Sequence, residues 1–121
     1  MTIERIGYEL TVCKVGSVND LSLSEEFYFI GRTDEEISLV CVTSAVPAGT
    51  TEREDGWKGF RVKGTLDFSL TGILSELAGI LADSGIGIFA VSTYNTDYIL
   101  VKAENYENAL GALEAAGHKV I

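Results

Sequence analysis

The sequence predicts an α+β fold built from two β-α-β-β-α-β units, the first of them degenerate. Three observations carry this. Between residues 66 and 101 the apolar spacing changes from every second residue to every third or fourth, and then back again. Gly85 and Gly117 each stand where such a helical stripe gives way to a short apolar run. The two apolar runs at 27–30 and 37–42 repeat, in weaker form, the pair at 86–93 and 98–103.

Taken in order, residues 8–15 read as a strand, and 18–24 leave room only for a turn or a short helix. Strands at 27–30 and 37–42 follow, joined by Gly31-Arg32-Thr33-Asp34-Glu35-Glu36. The stretch 48–56 (AGTTEREDG) is polar, contains glycine and has no apolar period, which makes it the boundary between domains 1–56 and 57–121. Phe60, Val62, Leu66 and Phe68 then alternate as a half-buried strand, with Gly64 taking one slot on the apolar side. Ile73, Leu74, Leu77, Ile80 and Leu81 form one stripe of a helix over 71–84, stopped by Asp83-Ser84-Gly85. Strands at 86–93 and 98–103 are joined by Tyr94-Asn95-Thr96-Asp97. Asn105 is placed to cap a last helix with an inward face of Ala109, Leu110, Leu113 and Ala116. Gly117 ends that helix, and 118–121 returns as a short strand. This element order is the split ferredoxin-like arrangement. Setting Leu39-Val40 against Leu100-Val101 puts Glu36 opposite Asp97. A repeat explains this spacing; chance similarity of two apolar hairpins is the alternative.

Composition narrows the class of partner. The chain has 121 residues, 46% of them hydrophobic, and a single proline, Pro47, so a packed core is expected rather than disorder. A formal net charge of -9 argues against nucleic acid and against an anionic membrane surface. With no basic-then-apolar start and no run of about 18 apolar residues, a signal peptide and a membrane span are not expected, and a cytoplasmic location is. Cys13 (TVCKV) and Cys41 (LVCV) sit in apolar runs and read as small core residues, with a disulfide between neighbouring strands as the alternative.

Two places can carry binding chemistry. Asp67-Phe68-Ser69-Leu70-Thr71-Gly72 opens the first long helix, where unpaired amides and the positive end of the macrodipole suit a carboxylate. The plain alternative is that Ser69 or Thr71 caps the helix and Gly72 fits against a strand. In the turn 94–97, Asp97 can accept a charge-assisted hydrogen bond from an ammonium or guanidinium, although Asn and Asp favour turns whatever the function. No catalytic arrangement is legible. His118 is the single histidine, placed near the mouth of an edge strand, and no Cys-His, Ser-His-Asp or metal-ligand spacing stands in the sequence. Gly85-Ile86-Gly87 follows a helix and opens a strand, the reverse of a dinucleotide fingerprint. No cofactor and no metal is expected.

The phrases LDFSLTGIL and SGIGIFAVSTYNTDYILV resemble the ACT domain, within a tandem group related to aspartate kinase regulatory domains and to the cytosolic arginine sensor of animals. The first half, with Thr33-Asp34-Glu35-Glu36-Ile37-Ser38-Leu39-Val40, is similar to the degenerate first unit of that group. The resemblance implies a non-enzymatic regulatory protein that binds a small molecule, an amino acid first. Its site would comprise Asp67, Phe68, Ser69, Leu70, Thr71 and Gly72 with Tyr94, Asp97 and the counterpart Glu36. It also implies a homo-oligomer, because such sheets leave an edge that invites pairing. A ligand-free assembly module is the rival reading.

Overall fold

Buried and exposed side chains alternate over much of β1 (Thr2–Val15), whose Ile3, Leu10, Cys13 and Val15 are buried, and this period makes it a strand. A computed structural model describes residues 1–67 and 71–121. After β1 come a 3₁₀ turn (Val18–Asp20), β2 (Tyr28–Arg32), β3 (Ile37–Val42), a second 3₁₀ turn (Thr43–Ala45) and β4 (Thr50–Val62). Then follow α1 (Ile73–Asp83), β5 (Phe89–Ser92), β6 (Asp97–Lys102), a third 3₁₀ turn (Ala103–Asn105), α2 (Tyr106–Ala115) and β7 (Lys119–Val120).

The chain divides into two compact units, with β1 and β4 contributing residues to both. One, the helical unit, comprises Met1–Gly7 and Lys58–Ile121; the other, the inserted unit, is Tyr8–Trp57. In the helical unit the order β4-α1-β5-β6-α2-β7 is the β-α-β-β-α-β pattern expected for the second half. One departure is topological. β7 pairs in parallel with β1 (Thr2↔Lys119, Ile3↔Val120), so the start of β1 lies between β7 and β4. Ile3, Phe60, Val62, Ile99 and Val101 from the strands pack against Leu77, Leu81, Tyr106, Ala109, Leu110 and Leu113 from the helices. Both helices therefore cover one face of this unit's strands, and burial of those side chains drives the packing.

Both helices close in the same way. Gly85 (φ 73) and Gly117 (φ 99) take the left-handed conformation. Gly85 N–H donates to Ala82 O and Ile86 N–H to Leu81 O, each at 2.9 Å; Gly117 N–H donates to Glu114 O at 3.0 Å and His118 N–H to Leu113 O at 3.1 Å. That is the Schellman closure at both predicted stops.

In the inserted unit the strand order is β2-β3-β1-β4. β1 and β2 each pair antiparallel with β3. Cys13, Leu39 and Cys41 form a buried cluster, with Leu21, Tyr28 and Val46 packed on it. Cys13 faces Leu39 while Cys41 faces Thr11, which makes the two thiols diagonal neighbours on one face. Diagonal positions stand about 7–8 Å apart, beyond the usual disulfide span of about 4.4–6.8 Å. Both thiols are free and buried. Desolvation pushes the Cys41 thiol up to about 11, with the neighbouring Cys13 adding to the shift.

Several sequence expectations need correction. β4 begins at Thr50, inside the polar stretch read as a boundary, because its residues 51–56 stand exposed and need no apolar period. It ends at Val62 rather than continuing toward Phe68, since Gly64 (φ 103) turns the chain out of the extended region. Phe68, Ser69 and Leu70 lie outside the described residues. Asn105 flanks α2 without a side-chain capping bond, because the preceding 3₁₀ turn already gives it helical dihedrals (φ -99, ψ -4). Ala116 is exposed, and Tyr106 takes its place on the inward face.

Candidate functional site

The turn after β5 is built by hydroxyls. Thr93 N–H donates to Thr96 O at 2.9 Å, and Thr93 Oγ1 donates to the same carbonyl at 3.1 Å. Thr96 is buried, and its own hydroxyl donates to Val62 O, the last carbonyl of β4, at 2.7 Å. One residue earlier, Asn95 O accepts from Leu66 N–H at 2.7 Å. The turn is thus pinned to the segment leaving β4. On the far side of that segment α1 begins at Gly72 (φ 80), and Glu76 N–H closes its first turn onto Gly72 O at 2.8 Å.

A cleft of about 260 Å³ lies between these parts, lined by 66–67, 72–75 and 92–97. It brings together Asp67, Gly72, Tyr94 and Asp97 of the expected site. Thr71 is exposed and is not among the lining residues. The helix cap is Gly72, which has no side chain to offer the amides of Ile73, Leu74 and Ser75. Those amides are among the first of a helix, which find no intrahelical carbonyl. Gly72 is glycine because its φ is positive; a Cβ there would meet nothing within 4 Å, so close packing on a strand is not the reason.

Asp97 is held from across the hairpin. Ser92 pairs with it in register, and Ser92 Oγ donates to Asp97 Oδ1 at 2.6 Å. A charge-assisted bond of this length fixes the carboxylate's orientation. His118 is buried, lies outside the lining, and places its Nε2 3.8 Å from Glu76 Oε2.

Glu36 does not correspond to Asp97. In the inserted unit Thr33 N–H donates to Glu36 O at 2.9 Å, as Thr93 N–H does to Thr96 O. The ladder agrees: Arg32 faces Ile37 where Ser92 faces Asp97. Glu36 is therefore the counterpart of Thr96, and Ile37 that of Asp97. Aligning the apolar runs pairs the two hairpins one residue away from the pairing that their turn-closing threonines give. Glu36 lines a different hollow, of about 300 Å³, with Lys14, Arg32, Asp34 and Glu35. The sequence reading leaves Ser92 out and names Thr96 only as a turn residue; the signals for them are the β5–β6 pairing that sets Ser92 opposite Asp97 and the place of Thr96 beside Asp97.

The ACT domain family model matches residues 52–115, more than half of the chain. The chain belongs to the ACT domain family. Among solved structures, Atu0741 of Agobacterium tumefaciens is similar over 99% of this chain and 91% of its own, at 28% identity and a TM-score of 0.87. VC0802 of Vibrio cholerae, described as a protein of unknown function and possible transport protein, covers 92% of this chain with 85% of its own at 26% identity and a TM-score of 0.75. The aspartate kinase of Clostridium acetobutylicum, an allosteric enzyme, shares the fold at 13% identity and a TM-score of 0.67, over 94% of this ACT chain and 33% of its own. A search of curated proteins gives no match. Among the described residues no helix is long and apolar enough to cross a membrane.

Proposed function

We propose that this protein is a non-enzymatic regulatory ACT protein that binds a small molecule, an α-amino acid, in the cleft of the helical unit. One observation carries the reading: a single cleft brings the start of α1, whose cap residue Gly72 has no side chain, to the same place as the carboxylate of Asp97. The ligand's α-carboxylate sits at the amides of Ile73 to Ser75, and Asp97 takes its α-ammonium. ACT domains bind small-molecule ligands in regulation, which supports the assignment.

We read the inserted unit as a degenerate ACT-like repeat, supported by its hairpin, its threonine-closed turn and the 3₁₀ turn that follows β3 as another follows β6. The protein works in the cytoplasm as a homo-oligomer. Binding acts by linkage, stabilising whichever assembly state holds the ligand more tightly. A melting screen of the full chain with the twenty amino acids and common nucleotides tests the reading. An amino acid that raises the melting temperature supports it, and no shift at millimolar ligand sinks it. The assembly-module reading rests on β5, an end strand whose sequence FAVS carries no charge to protect its edge. It would be favoured by a stable dimer that ignores every ligand.

A further inference from the structure

We infer that Thr96 is the positioning residue of the cleft, its hydroxyl holding the ligand turn in its binding shape through Val62 O rather than by meeting the ligand. The inference rests on the reading of the cleft as an amino-acid site. Thr96 is 6% exposed, and its hydroxyl reaches the terminal carbonyl of β4 at 2.7 Å. The neighbouring bond from Leu66 N–H to Asn95 O is equally short. These bonds clasp adjacent residues of the turn, Asn95 and Thr96, to the end of β4 and to Leu66 just beyond it, and Leu66, Asn95 and Thr96 all line the cleft.

The inserted unit shows what the hairpin needs for its own sake. Its turn closes with the same threonine-to-carbonyl bond, yet the position of Thr96 holds Glu36, whose side chain is exposed. Closing such a hairpin therefore does not require a buried hydroxyl. The clasp accompanies the unit that has the helix start and Asp97, where two walls must keep a fixed spacing for one ligand to meet both. Positioning of this kind lowers the ordering cost paid on binding.

Thr96→Val keeps the shape and removes the hydroxyl, and Thr96→Ser keeps the hydroxyl. Both are made in the full chain. One readout is exchange of the Leu66 amide without ligand; the other is calorimetric affinity for whichever of the twenty L-amino acids gives the largest melting shift. Thr96→Val is expected to exchange the Leu66 amide at least about tenfold faster and to bind at least about tenfold more weakly, with Thr96→Ser within about threefold of the parent in both. If Thr96→Val does not fold, Thr96→Ala removes the same hydroxyl without placing a methyl against Val62 O. Affinity within about threefold of the parent in the hydroxyl-free variant overturns the proposal while leaving the amino-acid reading standing. A parent that binds none of the twenty overturns both.

Discussion

The two units share several local features and spend their residues differently. Each has a hairpin, a four-residue turn closed by a threonine, and a 3₁₀ turn after the hairpin's second strand. In the helical unit the strand leading to the hairpin hands over to α1, an eleven-residue helix; at the same point the inserted unit has a three-residue 3₁₀ turn capped by Ser17. That one difference decides what the end of each unit can do. A helix start supplies aligned amides and half of a wall, and the turn supplies the other half. Without it, the inserted unit's hollow is lined by side chains of both signs, Lys14 and Arg32 against Asp34, Glu35 and Glu36. Those charges, all but the half-buried Lys14 exposed, partly offset one another, and each contributes little.

The comparison is most easily broken at the cores. Phe60→Ala removes a fully buried ring from the helical unit and is expected to destabilise by about 3–5 kcal/mol, read by urea unfolding. Cys41→Ala, in the smaller cluster of the inserted unit, is expected to cost about 1 kcal/mol. Equal costs would mean that the two clusters are equally built.

The sites come next. Asp97→Ala should weaken binding of the amino acid found by the melting screen by about 1.5–3 kcal/mol while leaving the melting temperature near the parent's. Glu36→Ala should change nothing, and the reverse pattern in calorimetry would move the site to the inserted unit.

At the cap of α1 and within it, two glycines should respond in opposite directions. Gly72→Ala forces a side chain into the left-handed region at a cost of about 1–2 kcal/mol. Gly79→Ala adds a methyl where nothing lies within 4 Å and should stabilise by about 0.5–1 kcal/mol. Opposite signs in thermal unfolding check the helix start, and matching signs would refute it.

The smallest effect is chemical. With its thiol pushed up to about 11 by burial, Cys41 in the folded protein should react slowly with a thiol reagent, the rate still climbing at about pH 10 without a plateau. A profile with its midpoint near pH 8.5 and a plateau by about pH 10 would show an open thiol.

What was legible in the sequence follows the range of the forces involved. β3 was placed at its true ends, and Gly85 and Gly117 were read as stops, because apolar period and left-handed glycine are local properties. Asp67, Gly72, Tyr94 and Asp97 line one cleft, and the helix start and the turn that carry them are also local signals. Thr96 was passed over because its partner, Val62, lies 34 residues away. Tyr106 was missed for a similar reason: its hydroxyl donates to Gly59 O, 47 residues distant, at 2.6 Å. The start of β4 was hidden by polar residues that the pairing of strands, rather than burial, makes extended.

The first seven residues have a consequence for anyone who would dissect this molecule. Ile3 is fully buried in the helical core, and Thr2 and Ile3 give β7 its partner. A recombinant fragment starting at residue 57 would omit that rung and leave a side-chain-sized hole, with Lys119 and Val120 unmoored. The stretch recognised as a family module, 52–115, thus leaves out Met1–Gly7, which belong to the same compact unit as Lys58–Ile121. Fragment complementation would have to return a peptide carrying Thr2 to Gly7 before the remainder regained its cooperative melt.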